Sequence, residues 1–358
     1  MRKTVFFLAM AFLAVSCYEK VVISVGDVEP VGVMNAQLNT AASTHYVHLS
    51  VSRDNRMYPL SEADVRVFVN GSPVATAVLQ SPTGYDIDRE SVYSFDATFR
   101  PGDEVRLEAR QERIDLSATV TVPPAVTISS VDTSTVQMTY MGETGTYLQA
   151  KTTFRDLPDV SFYRVFGMMS DEFAYLDEDG NPLPGYTGTA EVNLWMETGF
   201  DPVISEGGGK TGGMDLAALL DVGNPYHCFS DKPFSGGACT IRPLFYHDSF
   251  GLSDRYYGIN VPDSMRDDFD WEDLYSRPQW IHRRAALQVR SLDLTQYHYL
   301  KALEALDTYG SEMSFLVEPT TLPSNVEGGL GFVGIEAVAE YLFYEDTRTY
   351  PAMDTILY

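Results

Sequence analysis

Apolar and polar positions alternate with a period of two along much of the first third of the chain. HYVHLSVSR (45–53), ADVRVFVNG (63–71), SVYSFDATF (91–99), EVRLEARQE (104–112) and DLSATVTVP (115–123) each read as a strand with one apolar face. Asn70-Gly71 ends the second of these with a tight-hairpin signal, because both residues tolerate positive φ. No helical period interrupts the run. The pattern predicts a small antiparallel sandwich over 18–125, immunoglobulin-like in size. Pro123-Pro124 marks its end, since prolines break strand pairing and stiffen a linker.

After 125 the pattern is less regular. TVQMTYM (135–141) and TYLQAKTTFRD (146–156) predict a hairpin through Gly142–Gly145, and SFYRVFGMM (161–169) a further strand. HRRAALQVRSLD (282–293) begins as a strand, and GFVGIEAVAEYLFYED (331–346) closes with strands. The helical period is clearest over Ser291–Tyr309. Ser291 or Asp293 can cap it, Tyr297, Leu300, Leu303 and Leu306 recur along one face, and Gly310 stops it. A shorter helix is expected at Met214–Asp221, and a helical turn within Asp263–Tyr275. The expected fold is therefore mainly β: the immunoglobulin-like sandwich, then a larger β-rich domain over 126–358 with one or two short helices.

The alternation fails at the N-terminus. Arg2 and Lys3 precede Val5–Val15, an unbroken apolar stretch too short for a bilayer, which needs about 20 residues. It matches the apolar core of a signal peptide. Leu13-Ala14-Val15-Ser16-Cys17 then reads as a lipobox, so 1–17 is a leader and Cys17 the acylated first residue of the mature chain. Several acyl chains on Cys17 would hold the protein stably in the outer membrane. Tyr18-Glu19-Lys20 leaves open whether it faces the periplasm or the cell surface.

Charge narrows the partners. The chain carries a formal −25; without Arg2 and Lys3, 23 basic residues face 50 acidic ones, giving −27. Such a surface repels nucleic acid and anionic lipid, so no nucleic-acid partner is expected. Cys228 and Cys239 stand in YHCFSDKPFSGGACTIRP, in a compartment where thiols oxidise. Their spacing, with Gly236-Gly237 between, suits a bridged hairpin, and a disulfide or two free thiols both remain open.

Chemical motifs are few. GGGKT (207–211) lacks the earlier glycine of a phosphate loop, with Ile204 in its place, and reads as a surface loop. Asp177, Asp179 and Asn181 alternate around Gly180 as in a calcium loop, but Gly188 replaces the closing Glu, and a hairpin turn is the plainer reading. The acidic run Asp263–Asp273 reads as solvated. Tyr256, Tyr257, Trp271 and Trp280 are the candidate ligand or partner surface, as loop aromatics suited to recognition. His45 and His48, three apart in a strand, point to opposite faces, and no HExxH or GxSxG is present. We therefore assign no catalytic residue and no metal site, and expect no cofactor.

Four segments then agree: FRDLPDVSFYRV (154–165), HCFSDKPFSGG (227–237), SLDLTQYHYLKALE (291–304) and EPTTLPSNVEGGLGFVG (318–334). In that order, behind Cys17 and the sandwich, they resemble a Bacteroidota lipoprotein family known as domain of unknown function 4249. The resemblance covers nearly the whole chain and implies an accessory lipoprotein beside a TonB-dependent outer-membrane transporter, capturing a nutrient or metal complex. It carries no catalytic residues over. The glycines of the last segment read as backbone fittings. The expected function is non-enzymatic binding or partnering; a structural or adhesive surface protein is the alternative, and a hydrolase with a site assembled only in space the third reading.

Overall fold

A computed structural model describes residues 29–53, 56–80, 89–140, 143–176, 182–206, 224–246, 278–309 and 322–347. Nineteen strands and one helix lie among them. The first region contains β1 (Val31–Asn39), β2 (Thr44–Arg53), β3 (Arg56–Pro59), β4 (Asp64–Val69), β5 (Ser72–Thr76), β6 (Val78–Leu79), β7 (Ser91–Asp96), β8 (Glu104–Gln111) and β9 (Ile114–Thr121). The second contains β10 (Thr127–Tyr140), β11 (Glu143–Arg155), β12 (Phe162–Leu176), β13 (Pro182–Asn193), β14 (Met196–Glu197), β15 (Cys228–Ser230), β16 (Ala238–Ile241), β17 (Leu244–Tyr246) and β18 (Pro278–Leu292). Helix α1 (Leu294–Tyr309) and β19 (Val333–Thr347) follow. The fold is mainly β, as the alternation predicts.

Three sheets form. Four strands, β5-β4-β8-β9, make the first. Ten strands make the largest, in the order β13-β12-β18-β19-β1-β2-β7-β6, with β15 added on β12 and β3 on β2. Five make the third, β10-β11-β17-β14, with β16 added on β11. Between β4 and β5 the Asn70-Gly71 turn has φ of 51° and 77°, the double left-handed geometry that a two-residue hairpin demands.

The first core lies between the four-stranded sheet and the β1-β2-β7 part of the large one. Met34, Leu38, Val47 and Leu49 face Val67, Leu107, Leu116 and Val120 there, all buried. Two facing sheets thus stand where the sandwich is expected, but one of them is shared with the rest of the chain. β19 pairs in parallel with β1, Ala36 opposite Val333 and Asn39 opposite Glu336. Val326, Val333, Ile335 and Ala337 complete the first core. A cut at 125 would leave that core open.

The SNVEGGLG segment is the fitting that brings β19 in. Asn325 clasps Val333 with both ends of its amide, donating to O at 2.7 Å and accepting from N at 2.9 Å. Gly331 has φ +118°, and a Cβ there would meet Met34 O at 2.1 Å. Only glycine allows the backbones to approach so closely.

The second core packs Tyr163, Val165 and Met169 of β12 and Ala285, Leu287 and Val289 of β18 against Ala150, Phe154, Ile241 and Phe245 of the five-stranded sheet. β19 serves both cores, giving Ala337 to the first and Ala339 and Phe343 to the second. A third cluster seats α1: Leu300 is fully buried with Phe162, Cys228 and Leu292, and Tyr297 and Leu303 pack on them. The helix starts three residues later than the earliest expected cap, because Ser291 is still paired in β18, with Tyr163 and Ala337. Asp293 is the cap instead, its Oδ1 accepting from Gln296 N at 2.6 Å. The expected helical segments at 214–221 and 263–275 lie outside the described residues.

Of the two alternatives left open for Cys228 and Cys239, the structure has the free thiols. Both are buried. Cys228 sits in β15, paired with β12 of the large sheet, and Cys239 in β16, paired with β11 of the five-stranded sheet. The chain between them passes from one sheet to the other, so the short spacing does not form a hairpin.

Candidate binding site on the outer face of the ten-stranded sheet

Alternation in β12, β18 and β19 gives the large sheet a second face, turned away from the second core. Side chains align across it in rows: Arg164, Arg290 and Val338; Phe166, Gln288 and Glu340; Met168, Ala286 and Leu342; Ser170, Arg284 and Glu345. A cavity of about 690 Å³ lies over these rows. Glu191 of β13 lines its far side, and the β1–β2 turn, Asn39–Thr44, walls the near side. That turn is built by Asn39, whose Oδ1 accepts from Ala41 N at 3.0 Å and Ala42 N at 2.8 Å. A second cavity of about 560 Å³ adjoins it and shares Asn39, Ala42 and Thr44. Tyr46, His48, Glu90 and the stacked pair Tyr299–Phe332 line it. His48 Nδ1 lies 2.9 Å from Glu90 Oε1.

The floor beside the first cavity is an ionic cluster. Glu336 is 2% exposed; its carboxylate accepts from Arg164 Nη1 at 2.7 Å, Arg290 Nη1 at 2.9 Å and Gln296 Nε2 at 3.1 Å. Burial alone would raise its pKa, but the two guanidinium groups outweigh this and hold the carboxyl below the ordinary range. Both guanidinium groups also lie over the Phe166 ring, 4.5 Å (Arg164) and 4.1 Å (Arg290) from its centroid. Gln288 accepts from Arg290 and donates to Glu340, which carries the network to the cavity rim. A separate buried pair, Asp171 with Arg283 at 2.7 Å, points into the opposite face.

Reactive groups elsewhere are muted. Burial pushes both the Cys228 and Cys239 thiols up to about 12, so neither is a thiolate at neutral pH. Burial, helped by Arg164, lowers His227 to about 4. Glu206 binds Ser230, Tyr297 and Lys301 and fastens α1 to the chain before β15. Among the described residues no group of three or more His, Cys, Asp or Glu side chains could hold a metal ion, and no helix is long and apolar enough to cross a membrane.

Of the candidate site residues named from sequence, only Cys228, Cys239 and Trp280 are among the described ones. Cys17, Tyr256, Tyr257 and Trp271 lie outside the described residues, as do the GGGKT loop and Asp177–Asn181. Leu176 and Pro182, on either side of the last of these segments, are antiparallel partners on β12 and β13. Trp280 is on β18 opposite Phe173, its side chain outside the description. Arg164, Arg284, Gln288, Arg290, Glu336 and Met168 went unremarked as site residues. A signal existed in HRRAALQVR, where Arg284, Gln288 and Arg290 alternate with Ala285, Leu287 and Val289. Such a strand has one apolar face and one cationic face, in a chain with only 25 basic residues.

The family model described as Domain of unknown function (DUF4249) matches residues 18–341. The chain belongs to this family. The DUF4249 match spans both cores, α1 and the entry of β19 into the sheet, so the unit it describes is the joined pair of cores and includes every lining residue of the two cavities except Leu342. No match is found among curated proteins.

Proposed function

We propose that this DUF4249 protein is an outer-membrane lipoprotein, anchored through acyl chains on Cys17, that binds a ligand on the outer face of its large sheet and works beside a TonB-dependent nutrient transporter. It acts by binding and not by catalysis. The observation that carries the reading is the 690 Å³ cavity. Its volume falls within the range of roughly 300–1,000 Å³ typical of small-ligand sites. Its lining mixes apolar surface from Met168, Val338 and Leu342 with donors and acceptors from Arg284, Gln288 and Glu340. The walls are strands and one hydrogen-bonded turn, which favours a preformed site. The lipobox supports the anchor, and the strong negative charge suits an extracytoplasmic surface.

The test is mild detergent extraction of native outer membranes, pull-down through a C-terminal tag, and mass spectrometry of protein and small-molecule fractions. One transporter in near-stoichiometric amount supports the partnership, and Met168→Arg, which fills the cavity, should then lose the co-purifying ligand while retaining the transporter. Cys17→Ala should leave the membrane fraction. Arrival of the chain alone would sink the transporter partnership and favour an adhesive or structural surface protein.

A further inference from the structure

β10 ends the five-stranded sheet, and β11 is its one paired neighbour among the described residues. From Ser130 to Tyr140 it pairs with β11 one to one, eleven residues without a bulge. The opposite edge of such a strand offers the amide and carbonyl of every second residue. Asp132, Thr133, Ser134, Thr135, Gln137 and Thr139 are exposed. Natural edges this long are blunted by lysine, proline, bulges or a covering element. The run SVDTSTVQMTY contains no lysine, arginine, proline or glycine. Its single charge, Asp132, stands opposite Lys151 on β11.

We infer that β10 is a self-association edge: two copies pair β10 to β10, antiparallel, joining their five-stranded sheets into one of ten. An antiparallel strand pair is its own mirror under a two-fold axis, so one edge supplies both halves of the interface. The register follows from side-chain chemistry. With Ser134 on the axis, Thr133 faces Thr135 of the second copy, a favourable cross-strand pair, and Asp132 faces Val136. No charge then meets its own kind along the strand. Without Arg2 and Lys3 each copy carries a formal −27, from 23 basic and 50 acidic residues, so the near-neutral edge is where two such chains can approach. General repulsion makes the dimer tighten as salt rises. A strand pair alone is at the small end of interface sizes. The dimer is therefore weak in solution and favoured where anchoring concentrates the chains.

The experiment is sedimentation velocity on the mature full-length chain carrying Cys17→Ser, up to roughly 200 µM, with Ser134→Cys for trapping. Residues directly opposite in an antiparallel pair have Cα atoms about 4.5–5.5 Å apart, within disulfide reach. Ser134→Cys should therefore give a covalent dimer under mild oxidation, and Thr139→Cys should not. The two native thiols are buried and do not compete. Thr133→Lys with Thr135→Lys places like charges opposite each other and should weaken the dimer by about tenfold. Thr133→Lys with Thr135→Glu should restore it. A monomer at every concentration and salt overturns the inference. So does a dimer that Ser134→Cys fails to trap or that ignores the charge swap, since its interface then lies elsewhere.

Discussion

The ten-stranded sheet is one surface with two chemistries. At its β1-β2-β7 end the inner face packs apolar side chains against those of the four-stranded sheet. That region's ion pairs lie outside this core, Arg66–Asp64 and Arg110–Asp115 at the surface and Glu108, nearly buried, shared by two half-exposed arginines, Arg106 and Arg110. At its β12-β18-β19 end the sheet takes charges out of water, as Arg164–Glu336–Arg290 on one face and Asp171–Arg283 in a second buried pair. The first end is held by area. The second is held by area plus charges that stabilise only as a complete set, because a buried ion without its partner keeps the desolvation cost and loses the return. A binding face needs such fixed polar groups; a sandwich core does not.

The sharpest test of that contrast removes the centre of the set. Glu336→Ala leaves the Arg164 and Arg290 guanidinium groups without the carboxylate they share, and should cost about 3–5 kcal/mol in urea denaturation. Adding Arg164→Met and Arg290→Met to Glu336→Ala should recover part of the loss, since an apolar cluster carries no stranded charge. In the first core, Leu107→Ala should cost a comparable amount, about 3 kcal/mol, for a different reason: the methyl groups removed and the cavity left behind. No second substitution of charge would rescue it. If Glu336→Ala cost no more than an exposed pair, under about 1 kcal/mol, the two ends of the sheet would not differ as argued.

Acid separates them further. His227 has a folded pKa of about 4, lowered by burial and by Arg164, against about 6.5 in an unfolded chain. The neutral form is the folded one, so its contribution is complete above about pH 6.5 and is lost as the pH falls toward 4. Between pH 7 and 4 this group should cost roughly 1–3 kcal/mol. His227→Asn suits the local φ of 53°, which asparagine tolerates, and should flatten that part of the pH profile. Glu336, also lowered, protects above about pH 4.3 and fails only below it.

These elements differ in how far they could be read ahead. The β4–β5 turn was legible because Asn70 and Gly71 decide it locally, and the Tyr297–Leu300–Leu303 face because a helix repeats within itself. The β1–β19 pairing was not: Asn39 and Glu336 are nearly three hundred positions apart, and nothing in either strand names the other. Glu336 read as one polar residue in an apolar run, and its partners Arg164 and Arg290 come from two other strands. The state of the cysteines stayed open in the sequence because spacing along the chain does not give distance in space: Cys228 and Cys239 stand on strands of two different sheets. The cavity lining was legible only in part, as alternation along β18, since the depth over it is made by β13 and the β1–β2 turn.

The smallest expected effect lies where the two regions are coupled through α1. Gln296, which donates to Glu336, also donates its backbone N–H to Asp293 at 2.6 Å, and Tyr299 of the same helix stacks on Phe332 beside the first core. The first turn of α1 has no acidic residue, so Asp293 supplies both the cap and the charge that the helix N-terminus favours. Asp293→Ala should cost about 1 kcal/mol in urea denaturation and speed hydrogen exchange in the first turn. Asp293→Asn separates the two contributions. If it stays within about 0.5 kcal/mol of the parent, the hydrogen bond does the capping, since asparagine accepts as well as aspartate does. If it falls as far as alanine and the difference shrinks in high salt, the charge matters more, and α1 is steadied by the same electrostatics that set Glu336 apart from the first core.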